Sequence, residues 1–278
     1  MKVDKFRTVI IYIIIILLGL VCLLPLLNIV AISFSSSAAV EGNMVGLIPV
    51  GFSTAAYEKI LEDSQFWHSF LISVERVVLT LIINFVLIVL MAYPLSKTNA
   101  QFRGRNIYAN LMIFAMLFNG GMIPTFLLVK SYGLLNTVWA LVLPGAVPIF
   151  NVILVMNFFA AVPKELEEAA FIDGANPLQV LTKIFIPISK PVLATVSLFS
   201  IVGSWNDFYS GLIYMSKAAY YPLMTYIQSL QINVEDLIKQ GNLSAVVDSA
   251  SLGNTNLNAA KIVVAAVSYT HLTLPTNS

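Results

Sequence analysis

Residues 163–187 read PKELEEAAFIDGANPLQVLTKIFIP and form a polar stretch between long apolar segments. Pro163 suits the first position of a helix, where its missing N–H is not needed. Acidic residues such as Glu165 and Glu168 follow it closely. They lie near the N-terminal end of the helix, where the helix dipole favours negative charge. We therefore predict a helix over Lys164–Ile172.

A turn and a second helix are predicted after this first helix. Gly174 permits a sharp turn, because glycine adopts positive φ without steric cost. Asn176-Pro177 is typical of an N-cap followed by a first-turn proline. Pro187 and Pro191 are expected to end the second helix and to begin the next apolar segment. The stretch therefore predicts a projecting helical hairpin.

Two interpretations of this hairpin are open from its residues alone. Ala169 and Ala170 are small enough for close packing in a partner's groove, and the acidic side chains offer ion pairs at its rim. Alternatively, the hairpin is amphipathic and lies on a membrane surface. Helices of that kind are usually basic, because inner leaflets are anionic. The acidic composition therefore favours a protein partner.

The composition of the whole chain places it in a bilayer. Hydrophobic residues make up 58% of it and charged residues 10%, with a mean hydropathy of +0.86, whereas soluble domains carry about 25% charged residues. The net charge of +1 gives no indication of a nucleic-acid partner. Cys22 is the sole cysteine, and His68 and His271 are isolated, so neither a metal site nor a catalytic site is expected.

Five apolar segments are long enough to cross a bilayer as helices, which takes about 20 residues. The first is longer than the roughly 7–15 apolar residues of a signal peptide, so we expect an uncleaved anchor. The predicted fold is all-α and polytopic, with about six helices. The five predicted spans are Thr8–Ile32, Phe70–Tyr93, Ile107–Val129, Thr137–Phe159 and Pro191–Met215.

Basic residues set the expected orientation. With the N-terminus inside, nine Lys and Arg residues fall on the inner side and five on the outer side, and Arg76 lies in the second span. Because cytoplasmic loops carry the excess of basic residues, this arrangement is favoured. It places the hairpin in the cytoplasm and two longer, more acidic loops, Phe34–Gln65 and Ser216–Asn258, outside.

A sixth apolar segment begins at Ala259 and stops near Val267. About nine residues cannot cross a bilayer at 1.5 Å per residue. The tail from Ser268 to Ser278 lacks helical periodicity, and we expect it to be non-native read-through after a truncated span. Helical structure is expected up to about Val267 and irregular structure from Tyr269 onward.

The hairpin resembles the EAA loop of ABC-importer permeases. That pattern is Glu-Ala-Ala, three residues, Gly, nine residues, Ile, any residue, Leu, Pro. Here Glu168-Ala169-Ala170, Gly174, Ile184 and Pro187 match it, and Ile186 stands for the leucine. The resemblance implies that Asp173 also belongs to this loop, which touches the ATPase subunit.

Other segments are similar to the carbohydrate branch of that family, in its lipoprotein and polygalacturonan-oligosaccharide groups. They are Ala92-Tyr93-Pro94-Leu95-Ser96, Asn119-Gly120-Gly121-Met122-Ile123-Pro124, Gly133-Leu134-Leu135-Asn136-Thr137-Val138-Trp139 and Trp205-Asn206-Asp207. The resemblance implies a type I importer fold in a bacterial cell membrane, with the N-terminus cytoplasmic. It also implies four kinds of neighbour: a second permease subunit, an ABC ATPase dimer that binds the ATP, an extracellular solute-binding protein and membrane lipid.

The resemblance divides the chain into three parts. Residues 1–65 are expected to hold the N-terminal helix and the first outer loop. Residues 66–267 are expected to form the permease domain, with the coupling loop near 160–190. The remaining part, 268–278, is the expected non-native tail.

Polar residues at membrane depth are candidates for the translocation path. Ionisable groups there are costly and usually face a partner or a water-filled cavity. One interpretation has Trp205 stack on a sugar ring while Asn206 and Asp207 bind hydroxyls; in the other, they hydrogen-bond neighbouring helices and hold the bundle together. The flexible backbone at Asn119, Gly120 and Gly121 would be tolerated where it lines a cavity.

Glu75 and Arg76 are adjacent and therefore do not face each other on a helix. Each needs another partner, or reaches the interface with its long side chain. We expect a structural role for both.

Two other functional classes compete with a non-enzymatic permease subunit. A secondary transporter or channel subunit for a small polar solute usually carries intramembrane charges for ion coupling, and here Asp207 is the one central carboxylate. A membrane enzyme needs a catalytic cluster, which the sequence does not offer. The chain also lacks the Gly-x-x-x-x-Gly-Lys-Ser/Thr phosphate loop, so ATP hydrolysis must come from another subunit.

Overall fold

Long apolar runs make this chain helical, because only internally hydrogen-bonded backbone is tolerated in lipid. A computed structural model describes residues 5–118, 120–229 and 257–264, and these residues contain helices and turns but no strand. The chain divides into two compact units, one of Met1–His68 with Tyr226–Ser278 and the other of Ser69–Thr225.

The helices are named here in chain order. They are α1 (Lys5–Ser33), α2 (Ser37–Glu41), α3 (Ala55–Glu62), α4 (Ser64–Leu95), α5 (Arg105–Leu117), α6 (Met122–Ser131), α7 (Val138–Val142), α8 (Ile149–Ala160), α9 (Lys164–Ile172), α10 (Pro177–Val180), α11 (Ile186–Ile188), α12 (Lys190–Asn206) and α13 (Tyr209–Tyr214). Residues 223–229 and 257–264 are also helical.

Two helices are long and apolar enough to cross a membrane alone, Thr8–Ser33 and Ser64–Leu95. The first predicted span therefore appears as one helix, and the second is longer than predicted. Three pairs of helices meet at a bend, and each pair could form one bent span. Judged by length and composition, the described residues therefore contain up to five possible spans. The first part of the sixth segment is helical over 257–264, and its end and the tail from Ser268 lie outside the described residues.

The third and fourth predicted spans are interrupted, and both interruptions have a local cause. Between α5 and α6, Gly121 has φ of +88°, which most residues avoid. A short 3₁₀ helix, Leu143–Gly145, separates α7 from α8, and the axis bends there by 47°. Pro144 and Pro148 lack the N–H groups that a continuous helix would need at this point.

The fifth predicted span, Pro191–Met215, ends early as a continuous helix. α12 stops at Asn206 and α13 begins at Tyr209. Asp207 separates them, and its Oδ1 accepts a hydrogen bond from the backbone N–H of Ser210 at 3.1 Å. A carboxylate that satisfies a first-turn N–H favours the start of a new helix over continuation of the old one.

The core of the second unit joins α4, α8 and α12 with the second half of the hairpin. Its buried residues include Ala92 of α4, Val155 of α8 and Val196 of α12. Phe185 enters the same cluster from the hairpin, and its ring lies edge-on to those of Tyr93 and Phe159. The hairpin is therefore fixed to the membrane helices by burial of its own apolar side chains.

Candidate functional site

The first half of the predicted hairpin is present as expected. α9 covers Lys164–Ile172, and Pro163 is its N-cap. The sequence had predicted Pro163 one position further along, as the first residue inside the helix. Gly174 has φ of +82°. Its N–H donates to the Phe171 carbonyl, and the Ala175 N–H donates to the Ala170 carbonyl at 2.9 Å. This pair of bonds is a Schellman motif, in which glycine supplies the left-handed residue.

The second half begins as predicted and then departs from regular geometry. Asn176 and Gln179 form a reciprocal capping box at the start of α10. A π-helical turn follows over Leu181–Phe185, and Pro187 lies within α11 rather than ending the helix. Pro187 has no N–H for the Lys183 carbonyl, so a wider turn at this point accommodates the ring. The bend of 84° comes afterwards, between Ile188 and Lys190.

The hairpin exposes an apolar tip surrounded by acidic side chains. Ile172 is 85% exposed and Leu178 is 63% exposed. Glu168, Ala169 and Asp173 are exposed beside them. Ala170 and Ile184 instead face the core of the unit and are partly buried, while Gly174 and Pro187 are exposed. The predicted coupling residues thus divide into an outward surface and an anchoring side.

An ion pair that the sequence did not predict anchors α9 to the end of α4. Lys97 Nζ lies 2.7 Å from Glu167 Oε1 and 2.8 Å from Oε2. The ammonium also lies over the rings of Tyr93 and Phe185, at 4.1 and 4.2 Å from their centroids. Burial lowers the pKa of Lys97 from its ordinary value, and the Glu167 carboxylate opposes that change. The pair is well shielded, so it holds α9 in one place.

Replacing Lys97 with methionine is expected to loosen α9. The apolar stem would still pack against Tyr93 and Phe185, but Glu167 would lose its charged partner, a hydrogen bond worth about 1.5–3 kcal/mol. We expect backbone amides of residues 164–172 to exchange hydrogen roughly tenfold faster or more. The exposed Lys183 of the same hairpin supplies the control, Lys183→Met, which should leave exchange unchanged. Equal exchange in the two variants would rule out the anchoring role.

A polar cavity of about 270 Å³ lies between α4, the α7–α8 connection and α12. Its polar lining includes Arg76, Thr80, Asn84, Asn151, Ser204 and Asp207. Arg76 donates to the Asp207 carbonyl oxygen at 2.8 Å and to its Oδ2 at 2.5 Å. Among the described atoms, Arg76 Nε and Thr80 Oγ1 are buried without a hydrogen-bond partner. Polar groups in such a cavity can bind water or the hydroxyl groups of a solute.

The predicted path residues are only partly gathered at this cavity. Asp207 lines the cavity, and Arg76 also lines it and forms an ion pair with Asp207. Trp205 is 3% exposed and lies edge-on to Phe70, so its ring is a packing element in this structure. Asn206 is exposed at the end of α12, and Gly120 and Gly121 are exposed away from the cavity lining. Asn119 lies outside the described residues.

Sequence reasoning missed most of the cavity's polar lining, although a signal was present. Arg76, Thr80 and Asn84 recur every four residues along α4, which places them on one face of a helix. Ser200 and Ser204 have the same spacing on α12. The spacing does not show that these faces of α4 and α12 contact each other. In the structure they do, with the Asn84 amide 3.2 Å from Ser200 Oγ.

Comparisons with known proteins agree with this architecture. The family model described as binding-protein-dependent transport system inner membrane component matches residues 79–277. Protein LplC of Bacillus subtilis (strain 168) is 42% identical over 214 residues, 77% of this chain and 72% of the relative. The polygalacturonan/rhamnogalacturonan transport system permease protein YtcP of the same strain is 38% identical over 264 residues, 95% of this chain and 91% of the relative.

A solved structure is also similar along the whole chain. It is the crystal structure of a bacterial ABC transporter involved in the import of the acidic polysaccharide alginate. The TM-score is 0.86 at 30% sequence identity, covering 100% of this chain and 98% of that one. The expected importer fold is therefore confirmed.

Proposed function

Because the chain belongs to the family of binding-protein-dependent transport system inner membrane components, we propose that it is the permease subunit of an ATP-driven importer of oligosaccharides. It forms half of the translocation path, and a partner ATPase binds the ATP, since the sequence lacks the phosphate-loop motif. Members of this family are transport components rather than enzymes. Several curated relatives are named for carbohydrate transport, among them the polygalacturonan/rhamnogalacturonan permease, which supports a sugar polymer fragment as the solute.

The observation that carries this proposal is the anchored hairpin with an exposed tip. A loop that only connected two spans would not need a Schellman turn, a capping box and a buried ion pair. Ile172 and Leu178 are exposed on this anchored element beside acidic side chains, an arrangement that suits a protein interaction surface. The acidic rim suits a basic groove on an ATPase subunit.

The assembly that we propose contains a second permease subunit, an ATPase dimer that binds ATP, and an extracellular solute-binding protein. The N-terminus and the hairpin lie in the cytoplasm. The basic residues support this orientation by the positive-inside rule. The coupling residues in this proposal are Glu168, Ala169, Asp173, Gly174 and Pro187, which are exposed, with Ala170 and Ile184 supporting them from the core side.

The polar cavity is our candidate for this subunit's contribution to the path. Its hydroxyl, amide and guanidinium groups match the hydroxyl groups of a sugar. Asp207 is already paired with Arg76, so it is not poised as an unpaired carboxylate for ion coupling. This pairing argues against a secondary transporter, which usually needs such a group.

Reconstitution tests the proposed function. The chain is co-expressed with its permease and ATPase partners, and the purified complex is placed in liposomes. We expect oligosaccharide uptake that requires ATP, the binding protein and this chain together. Uptake driven by an ion gradient through this chain alone would overturn the proposal.

Replacing Glu168 with lysine is expected to remove the ATPase subunits from the purified complex. The change puts a positive charge on the exposed rim of α9, where like charges across an interface are costly. Co-purification at physiological salt measures the loss, which we expect to exceed tenfold. Glu62→Lys, the same change on the exposed Glu62 of α3, is the matched control and should retain the ATPase. Retention by both variants would exclude Glu168 from docking.

A further inference from the structure

An apolar groove of about 410 Å³ lies where α4, α5 and the start of α8 meet. Its walls are almost wholly apolar and include Leu90 and Leu95 from α4, Leu111 and Ala115 from α5, and Ile149 from α8. Several of these side chains are exposed in the chain by itself. These helices belong to candidate membrane spans, so an apolar surface on them is suited to contact with hydrocarbon.

Basic groups are concentrated at one end of this groove. Arg105 Nε donates to the Leu95 carbonyl at 2.8 Å and its Nη1 donates to Asn106 Oδ1 at 3.1 Å, which fixes the guanidinium beside a groove-lining residue. Arg103 is exposed and follows Phe102, another lining residue. α5 begins at Arg105 after Gly104, which has no side chain to cap it. Two arginines and the positive end of a helix are therefore next to residues that line the apolar groove, Leu95 and Phe102.

We propose that this groove binds one anionic glycerophospholipid of the inner leaflet. An acyl chain occupies the apolar walls, and the phosphate contacts Arg103, Arg105 and the first turn of α5. Arginine binds phosphate oxygens through two parallel hydrogen bonds, and basic pockets between membrane helices on the cytoplasmic side are suited to anionic headgroups. The leaflet follows from the orientation proposed above.

The lipid site is next to the anchor of the coupling hairpin. Pro94 and Phe102 line both the groove and a second cavity of about 370 Å³, which also contains Lys97 and Glu167. A bound lipid would therefore support the end of α4 from the membrane side. We expect its loss to weaken ATPase coupling without abolishing assembly.

Native mass spectrometry of the full importer complex tests this site. The complex is extracted from nanodiscs that contain equal amounts of phosphatidylglycerol and phosphatidylcholine, and the retained lipids are counted. We expect one retained phosphatidylglycerol per copy of this chain. Each basic residue near an anionic lipid contributes about fivefold in affinity, so Arg103→Gln with Arg105→Gln should weaken retention by about thirtyfold.

A second variant separates the groove from surface charge. Ala115→Phe fills the groove and leaves every charge in place, and it should also remove the lipid. The matched controls are Ile113→Phe, on an exposed face of α5 outside the groove, and Lys130→Gln with Lys217→Gln, at exposed lysines elsewhere. Both controls should retain the lipid.

Three results would overturn the proposal. The first is lipid retention without preference for phosphatidylglycerol, and the second is lipid loss in the arginine variant but not in Ala115→Phe. The third is dissociation of the second permease subunit in Ala115→Phe, which would identify that subunit as the occupant of the groove. None of these results bears on uptake by the wild-type complex, so the importer function is judged separately.

Discussion

Replacing Arg76 with methionine is expected to destabilise the permease by about 1.5–3 kcal/mol, the worth of hydrogen bonds to a charged group, because the Asp207 side chain left without its partner is 30% exposed. Arg76 is 3% exposed, and two of its nitrogens hold Asp207. The same contacts tie α4 to the break between α12 and α13. Without them, a carboxylate remains beside the cavity at membrane depth, where a charge is costly.

The measurement is the thermal unfolding of the purified complex in detergent, with an expected fall in Tm of roughly 5 °C. The double variant Arg76→Met with Asp207→Asn removes the unpaired charge but keeps an acceptor for the Ser210 N–H. It should recover at least half of the loss. Glu75 was also expected to have a structural role, but it is exposed in the structure, so the control Glu75→Gln should leave the Tm unchanged. If the double variant is no more stable than the single one, the unpaired charge is not the cause.

Replacing Gly174 with valine is expected to uncouple transport from ATP hydrolysis while leaving the chain expressed and inserted. Gly174 has φ of +82°, and left-handed backbone costs an L-residue about 1–2 kcal/mol, with β-branched residues at the upper end. Apart from its chain neighbours, no atom lies within 4 Å of the position that a Cβ would occupy, so within this chain the effect is backbone strain. Relief of that strain breaks both hydrogen bonds of the Schellman turn and redirects the second half of the hairpin.

Substrate-stimulated ATPase activity of the reconstituted complex measures this effect. A strain of about 2 kcal/mol shifts the population of the native turn by about thirtyfold, so we expect stimulation to fall at least tenfold. Gly174→Asn is the matched control, because asparagine tolerates the left-handed region better than valine does. It should retain most of the stimulation. Normal stimulation in the valine variant would show that the turn geometry does not transmit coupling.

The fold class and the hairpin followed from the sequence because both depend on short-range chemistry. Apolar runs of about 20 residues are sufficient to predict membrane helices. Positive φ at Gly174 and the cap at Asn176 depend on the residues themselves and on neighbours within a few positions. The interruptions of three spans were harder to predict. A helix can break at Pro144 or Asp207 only where other groups satisfy the backbone N–H and C=O groups that the break frees, and those groups come from elsewhere in the fold.

The contacts between helices were decided only by the tertiary structure. Lys97 and Glu167 are 70 residues apart, and Arg76 and Asp207 are 131 apart. The sequence by itself left Arg76 two possibilities, a partner within the bundle or a side chain that reaches the interface. Helical periodicity fixes which residues share one face of a helix, but it does not fix which other helix that face packs against. The partner of Arg76, the polar cavity and the apolar groove therefore arise from the packing of segments that are distant in sequence.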